Sequence, residues 1–249
     1  MLEKLGKDTS LSAPQTYSPK GEPTLPERKT IEIEGVIATF EVKSQNDMRR
    51  LHQDFEGDYA KEIVTAFKKL HGEGTVVNVG AAQGFYTIYS ALCNNPTIAI
   101  EPDPPTFATL QRNIQTNGLE SKVSCFQYAL GEKNEERSLF TDGIEGSASS
   151  FLKAEKRPEE VKVVVFRMDQ VLRDNPAILV MDVEGYEENV LRGMGNLRPR
   201  DIFLEIHPGF LKELNGSEES VRKLLYDYGY VLKGEYIRRN EFLSHYEKQ

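Results

Sequence analysis

The stretch Val76-Val77-Asn78-Val79-Gly80-Ala81-Ala82-Gln83-Gly84-Phe85-Tyr86-Thr87 decides how this chain is read. A short, mainly apolar run reads as a strand, the glycines as a tight turn, and Phe85 to Cys93 as a helix. Glycine at such a turn lets the backbone bend sharply and approach a ligand beside helix N-terminal amides. The spacing is GxxxG rather than GxGxxG, and no Lys-Ser/Thr pair follows. It is therefore neither the usual dinucleotide fingerprint nor a phosphate-binding P-loop.

The same alternation extends outward from this unit. Downstream, Thr97 to Glu101 is a second strand, and Asp103 caps a helix with Pro104 at its first position, where the missing N–H costs nothing. Further strands are read at Val123 to Ala129, Ala177 to Val183 and Ile202 to Ile206, with a helix from Tyr186 to Arg192. Ser217 caps a helix closed by Gly229, and Tyr230 to Leu232 and Glu241 to His245 are two last strands with no helix between them. Apolar strands alternating with amphipathic helices predict an α/β fold: a mostly parallel seven-stranded sheet, helices on both faces, and one antiparallel edge strand. Upstream, Ile31 to Val42 reads as a hairpin around Gly35, and Asn46 to Leu70 as a helix stopped by Gly72 and Gly74.

The expected organisation is a flexible leader over 1–30, a hairpin and helix over 31–74, and the main domain over 75–249. The leader carries Pro14, Pro19, Pro23 and Pro26 among polar residues, too little apolar surface to offset the entropy of ordering it. A polar insertion over 131–161 interrupts the alternation and reads as a lid or disordered loop whose Ser147, Ser149 and Ser150 could face an acceptor. No apolar run approaches the roughly 20 residues that span a bilayer, and the N-terminus lacks a signal-like apolar segment. Two cysteines make no disulfide framework, so a reduced, cytoplasmic setting is expected. With 31 Lys and Arg against 39 Asp and Glu the net charge is −8, which argues against a whole-surface nucleic-acid binder.

Three groups of residues could carry chemistry. Glu101 ends the strand next to the glycine turn, where a carboxylate can accept both hydroxyl protons of a ribose. Turn and acid together favour an adenosine-containing ligand, with NAD and S-adenosylmethionine both admissible. Asp182-Val183-Glu184-Gly185, with Glu187 beyond, and Glu205-Ile206-His207-Pro208 emerge on the same sheet edge. Three carboxylates and an imidazole at one mouth could hold a divalent cation or supply a general base.

These blocks agree with one family in order. The residues quoted above from Val77 to Thr87, then Ile100-Glu101-Pro102, Asn113, Asn117, Met168-Asp169, Asp182 to Glu187, Val190 to Gly193 and Glu205-Ile206-His207 resemble the FkbM family of S-adenosylmethionine-dependent methyltransferases. The resemblance runs from about Tyr59 to Ser244 and implies the class I methyltransferase Rossmann-like fold. It implies methyl transfer, typically to oxygen of sugars or hydroxylated natural products. The cofactor would be held by Asn78, Gly80, Ala82, Gly84, Glu101, Tyr128, Ala129 and Asp182. Gly80, Ala82 and Gly84 would lie against the methionine moiety and Glu101 against the ribose. His207 is the expected base, with Asp182 and Glu205 beside it, and Asp182, Glu184, Glu205 and His207 form the expected set for a divalent cation.

The chain departs from the family pattern at three positions. Asn78 stands where the family has Asp, Ala82 where it has Asn, and Val180 where it often has Lys. The expected acceptor is a saccharide or hydroxylated small molecule, with nucleic acid disfavoured and oligomeric state left open. The alternatives are methylation of RNA or protein, or a non-catalytic nucleotide-binding or scaffold protein.

Overall fold

The computed structural model describes residues 27–42, 57–142 and 149–249. The chain opens with a hairpin, β1 (Glu27–Ile33) and β2 (Val36–Val42). Its turn residues Glu34 and Gly35 both have positive φ (54° and 76°), the geometry that suits the twist of paired strands. Helix α1 (Asp58–Leu70) follows, then β3 (Val76–Val79), α2 (Phe85–Leu92), β4 (Thr97–Ile100), α3 (Pro104–Thr116) and β5 (Val123–Phe126). Next come β6 (Ala129–Leu130), β7 (Glu135–Thr141), β8 (Glu159–Phe166), α4 (Met168–Val171), β9 (Ile178–Met181), α5 (Glu187–Gly193) and β10 (Asp201–Ile206). Helices α6 (Pro208–Glu213) and α7 (Glu218–Asp227) lead into a closing hairpin, β11 (Tyr230–Arg238) and β12 (Glu241–Lys248).

Seven strands form the main sheet in the order β11-β12-β10-β9-β3-β4-β5. Side chains alternate between its faces, as strand geometry requires. Val76, Ala99, Ile178, Val180 and Phe203 pack with α1, α2 and α3, while Val77, Val79, Ile100, Leu179, Met181 and Leu204 pack with α5 and α7. Both faces are dry, so the ligand-accessible part of the sheet is its C-terminal edge. The expected caps are present: Asp103 accepts the Thr106 amide, and Ser217 forms a reciprocal box with Ser220. Among the described residues no helix is long and apolar enough to cross a membrane.

The structure corrects the expected layout in five places. The antiparallel strand is β12, and it lies between β10 and β11 rather than at the edge. The crossover through α7 overshoots one strand position, and the two-residue turn Arg239-Asn240 returns the chain to fill it. The third strand ends at Phe126; Ala129 and Leu130 leave the main sheet and pair parallel with β8. The insertion 131–161 contains β7 and the first residues of β8, and this pair of strands buries Leu139, Val163 and Val165. Residues 27–30 of the expected leader are the first half of β1, where each pairs with β2. The helix expected from Asn46 begins at Asp58 within the described residues; residues 43–56, like 1–26, lie outside them.

The N-terminal hairpin does not join the main sheet. Phe40 stacks on Phe85 of α2 with ring centroids 5.4 Å apart, and two asparagines of the α3 segment satisfy its exposed backbone. Asn117 bonds both the N–H and the C=O of Thr39 (2.9 and 2.7 Å), and Asn113 Oδ1 accepts the Glu41 amide at 2.8 Å. The Asn113 amide also donates to the Gln83 carbonyl at 2.9 Å, tying hairpin, helix and glycine turn together.

Candidate active site

The glycine turn is built by close approach. Gly80 and Ala81 both donate their N–H to the Ile100 carbonyl (2.9 and 3.0 Å), which pulls the turn onto the end of β4. A Cβ on Gly80 would sit 1.7 Å from the Asp182 carbonyl oxygen, so only glycine allows β3 and β9 to end side by side. Gly84 has φ 92°, and its missing Cβ makes room for Leu110 of α3 rather than for a ligand. Between them Ala82 adopts φ 49°, a left-handed conformation that is strained for alanine.

Glu101 organises this end of the cleft. It is 4% exposed, and its two oxygens accept the backbone N–H groups of Ala82 and Asp103, each at 2.9 Å. Burial pushes its carboxyl up to about 8, although the Asp103 and Ala82 amides pull the other way. Each carboxylate oxygen keeps a second acceptor site, enough to receive a pair of vicinal hydroxyls.

The cleft encloses about 110 Å³ and opens to solvent at its mouth. Gly80, Ala82, Glu101, Pro102, Ala129, Leu130, Asp182, Val183 and Glu184 line it, and Ser149, Ser150, Phe151 and Tyr186 form its far wall. Ser150 Oγ donates to the Glu184 carbonyl at 3.0 Å, fastening the insertion to the acidic loop. Ser147 lies outside the described residues.

Of the eight positions expected to hold the cofactor, Gly80, Ala82, Glu101, Ala129 and Asp182 line this cleft. Asn78, Gly84 and Tyr128 do not line it. Asn78 is buried and donates to Thr87 Oγ1 at 3.0 Å, bracing α2 against β3. Tyr128 packs between Phe126 and Phe166 (5.7 and 5.1 Å), a local aromatic cluster.

The second half of the site lies where β9 and β10 end. His207 is 5% exposed, and its Nδ1 sits 2.7 Å from Glu187 Oε1, which also accepts the Gly185 amide. Its Nε2 faces Asp182 Oδ1 at 3.7 Å, Glu205 Oε1 at 3.7 Å and Glu184 Oε2 at 3.9 Å, all longer than a hydrogen bond. Burial disfavours a charged imidazole, but the Glu187 hydrogen bond and the charges of Asp182, Glu187 and Glu184 outweigh it and raise His207 to about 10. Burial also raises the carboxyls of Asp182 and Glu205, each worsened by neighbouring acids and relieved by His207 and Arg238. The edge therefore gathers more negative charge than it neutralises.

The three expected acids, Asp182, Glu184 and Glu205, converge here with His207 and are joined by Glu187, but His207 and Glu205 stand behind Asp182 and Glu184 rather than on the cleft wall. One contributor escaped the sequence reading. Arg238 donates to Glu205 Oε1 at 2.6 Å; only the hairpin return of β12 brings it there. Glu187 had a signal, since it follows Glu184 by three residues at the start of a helix and points back at the loop.

A model of the family described as the methyltransferase FkbM domain matches residues 78–232. Among curated proteins, "Methyltransferase 1" of Beauveria bassiana (strain ARSEF 2860) is 28% identical over 144 residues, covering 48% of this chain and 57% of that protein. Among solved structures, an rRNA-methylase candidate of Clostridium thermocellum aligns with a TM-score of 0.50 at 13% identity, covering 77% of this chain and 96% of that one. The precorrin-6y C5,15-methyltransferase of Geobacter metallireducens GS-15 aligns at a TM-score of 0.47 and 11% identity, covering 79% and 92%.

Proposed function

The chain belongs to the FkbM methyltransferase family, and from that premise we propose that it methylates a hydroxyl oxygen of a saccharide or similar small molecule, using S-adenosylmethionine. The observation that carries the cofactor assignment is Glu101, buried at the end of β4 and locked by two backbone amides beside the left-handed turn. The cleft fits the cofactor's chemistry: a carboxylate for the ribose, apolar Ala129 and Leu130 for a flat base, and acids where a sulfonium would sit. Asn78 does not weaken this reading, because its side chain faces Thr87 and not the cleft.

When bound, the cofactor would supply a methyl group already activated on a cationic sulfonium. The chain's own task is alignment and removal of the hydroxyl proton. Asp182 is the best-placed acceptor of that proton, since it lines the cleft and its carboxyl is raised toward neutrality by burial and neighbouring acids. His207, held by Glu187 and set behind the wall, acts as a positioning and charge-balancing group in this scheme rather than as the base. Ser149, Ser150 and Phe151 would face the acceptor. Acids at the mouth repel a phosphate backbone, which favours a small uncharged acceptor over RNA.

Parallel calorimetric titrations with S-adenosylmethionine and NAD test the cofactor, followed by methyl-transfer assays on saccharide and RNA acceptors. Binding of the first ligand alone, with transfer to saccharide hydroxyls, is expected. Binding of NAD alone or of neither ligand overturns the cofactor reading, and transfer to RNA alone overturns the acceptor class.

A further inference from the structure

We propose that Asp182, Glu184 and His207 form a site for one divalent cation of the Mn²⁺ type, on the acceptor side of the cleft. Their donor atoms lie within 4.8 Å of one another, with His207 Nε2 3.7 Å from Asp182 Oδ1 and 3.9 Å from Glu184 Oε2. Two ligands about 2.1 Å from a shared ion stand roughly 3–4 Å apart, so these spacings are those of ligands and too long for hydrogen bonds.

Two further observations point into the same space. His207 is nearly buried, its ring is fixed by Glu187 at Nδ1 and by stacking on Phe210 (5.8 Å), and its Nε2 has no partner at hydrogen-bond distance. A carboxylate on one ring nitrogen, with the other aimed at a group of oxygens, is the arrangement that orients a metal-binding histidine. Asp182 Oδ1 is itself buried and accepts no hydrogen bond, although the side chain as a whole is about half exposed (46%). These two atoms, facing each other across 3.7 Å without a hydrogen bond, leave a position that a cation satisfies from both sides by displacing the His207 Nε2 proton.

A second group, Glu205, His207 and Glu241, also has its donor atoms within 4.8 Å. That space already serves the Arg238 guanidinium, which bonds Glu205 at 2.6 Å and approaches Glu241 at 3.7 Å. The Asp182 side is therefore the one that takes the ion. Mixed carboxylate and imidazole donors suit Mn²⁺ or a similar first-row ion better than Ca²⁺, which prefers oxygen alone. Held there through Asp182 Oδ1, the ion would polarise an acceptor hydroxyl presented in the cleft and lower its pKa, leaving the second oxygen of Asp182 to take the proton. That role rests on the methyl-transfer reading; the site itself does not.

The test is Mn²⁺ binding to the chelator-treated full chain, followed by loss of the free-ion paramagnetic resonance signal, with no cofactor or acceptor present. One ion per chain is expected. Asp182→Asn and His207→Gln should each weaken binding at least about tenfold, and Glu187→Gln about 10–100-fold through loss of ring orientation. Glu241→Gln should leave it unchanged. Asp182→Asn keeps the test decisive should His207→Gln fail to fold, because it is nearly isosteric and the side chain is about half exposed (46%). Absence of binding at several hundred micromolar Mn²⁺ overturns the proposal, as does binding that survives Asp182→Asn or is lost in Glu241→Gln. A failure here leaves S-adenosylmethionine binding untouched, and a failure of cofactor binding leaves this measurement intact.

Discussion

The two ends of the cleft are built on opposite principles. At the β3–β4 end one buried acid is matched by two backbone amides from residues close to the glycine turn, and Asp103 Oδ1 is the one buried side-chain oxygen there without a partner among the described residues. At the β9–β10 end four carboxylates crowd one imidazole and one guanidinium, with Asp182 Oδ1 and Glu187 Oε2 left buried and unsatisfied. The first end stabilises the fold and shapes a pocket at once. The second spends stability on chemistry, the usual sign of groups kept for function.

Substitutions that separate these principles should act with opposite sign. The largest effect belongs to Glu101→Ala, which strands the Ala82 and Asp103 amides in a buried site. A loss of about 2–4 kcal/mol is expected from denaturant melts at pH 7, with S-adenosylmethionine affinity down at least about tenfold. Unchanged stability would show that the amides are satisfied in some other way. Glu101 also sets a pH signature. Its carboxyl stands near 8 when folded, above the ordinary value of 4.5, so the folded chain binds the proton more tightly. Its contribution is complete below 4.5 and is lost as pH rises toward 8. Glu101→Gln should flatten that part of the stability profile; an equally steep profile would assign the slope elsewhere.

At the other end, Asp182→Asn removes a charge from an overcrowded group and supplies an amide that can donate to its neighbours. In metal-free buffer it should raise stability by about 0.5–1 kcal/mol while abolishing turnover. A destabilised variant would mean that the two ends do not differ as described. The smallest effect is expected at the turn. Ala82→Gly relieves the left-handed backbone at φ 49° but adds unfolded-state entropy, for a net gain of about 0.5 kcal/mol. A loss on thermal melting would show that the Ala82 methyl packs usefully against the cleft.

The β3–β4 end of the cleft was legible in the sequence because its parts are local. A strand, a glycine turn, a capped helix and the acid ending the next strand follow in order, and the parallel sheet does the rest. Legibility failed where the deciding contact is remote or where two faces compete. Asn78 points to α2 and Gly84 to Leu110 because of side-chain direction, which spacing alone does not give. Arg238 reaches Glu205 only through the placement of β12. The strand Glu135–Thr141 was hidden by composition: EERSLFT exposes one face and buries little beyond Leu139 and Thr141, so its pairing with β8 leaves scant apolar signal.

The asparagine clasp bears on where this protein can be trimmed. A fragment cut to the family-matched span 78–232 would strip β2 from Asn113 and Asn117, leaving the oxygens of both side-chain amides without the Glu41 and Thr39 N–H groups they accept. The same cut would remove β12 from the middle of the sheet and, with it, the only strand joining β11 to β10. The span that identifies the family is thus smaller than the unit that must be expressed. Soluble fragments should begin ahead of Glu27 and run past Lys248.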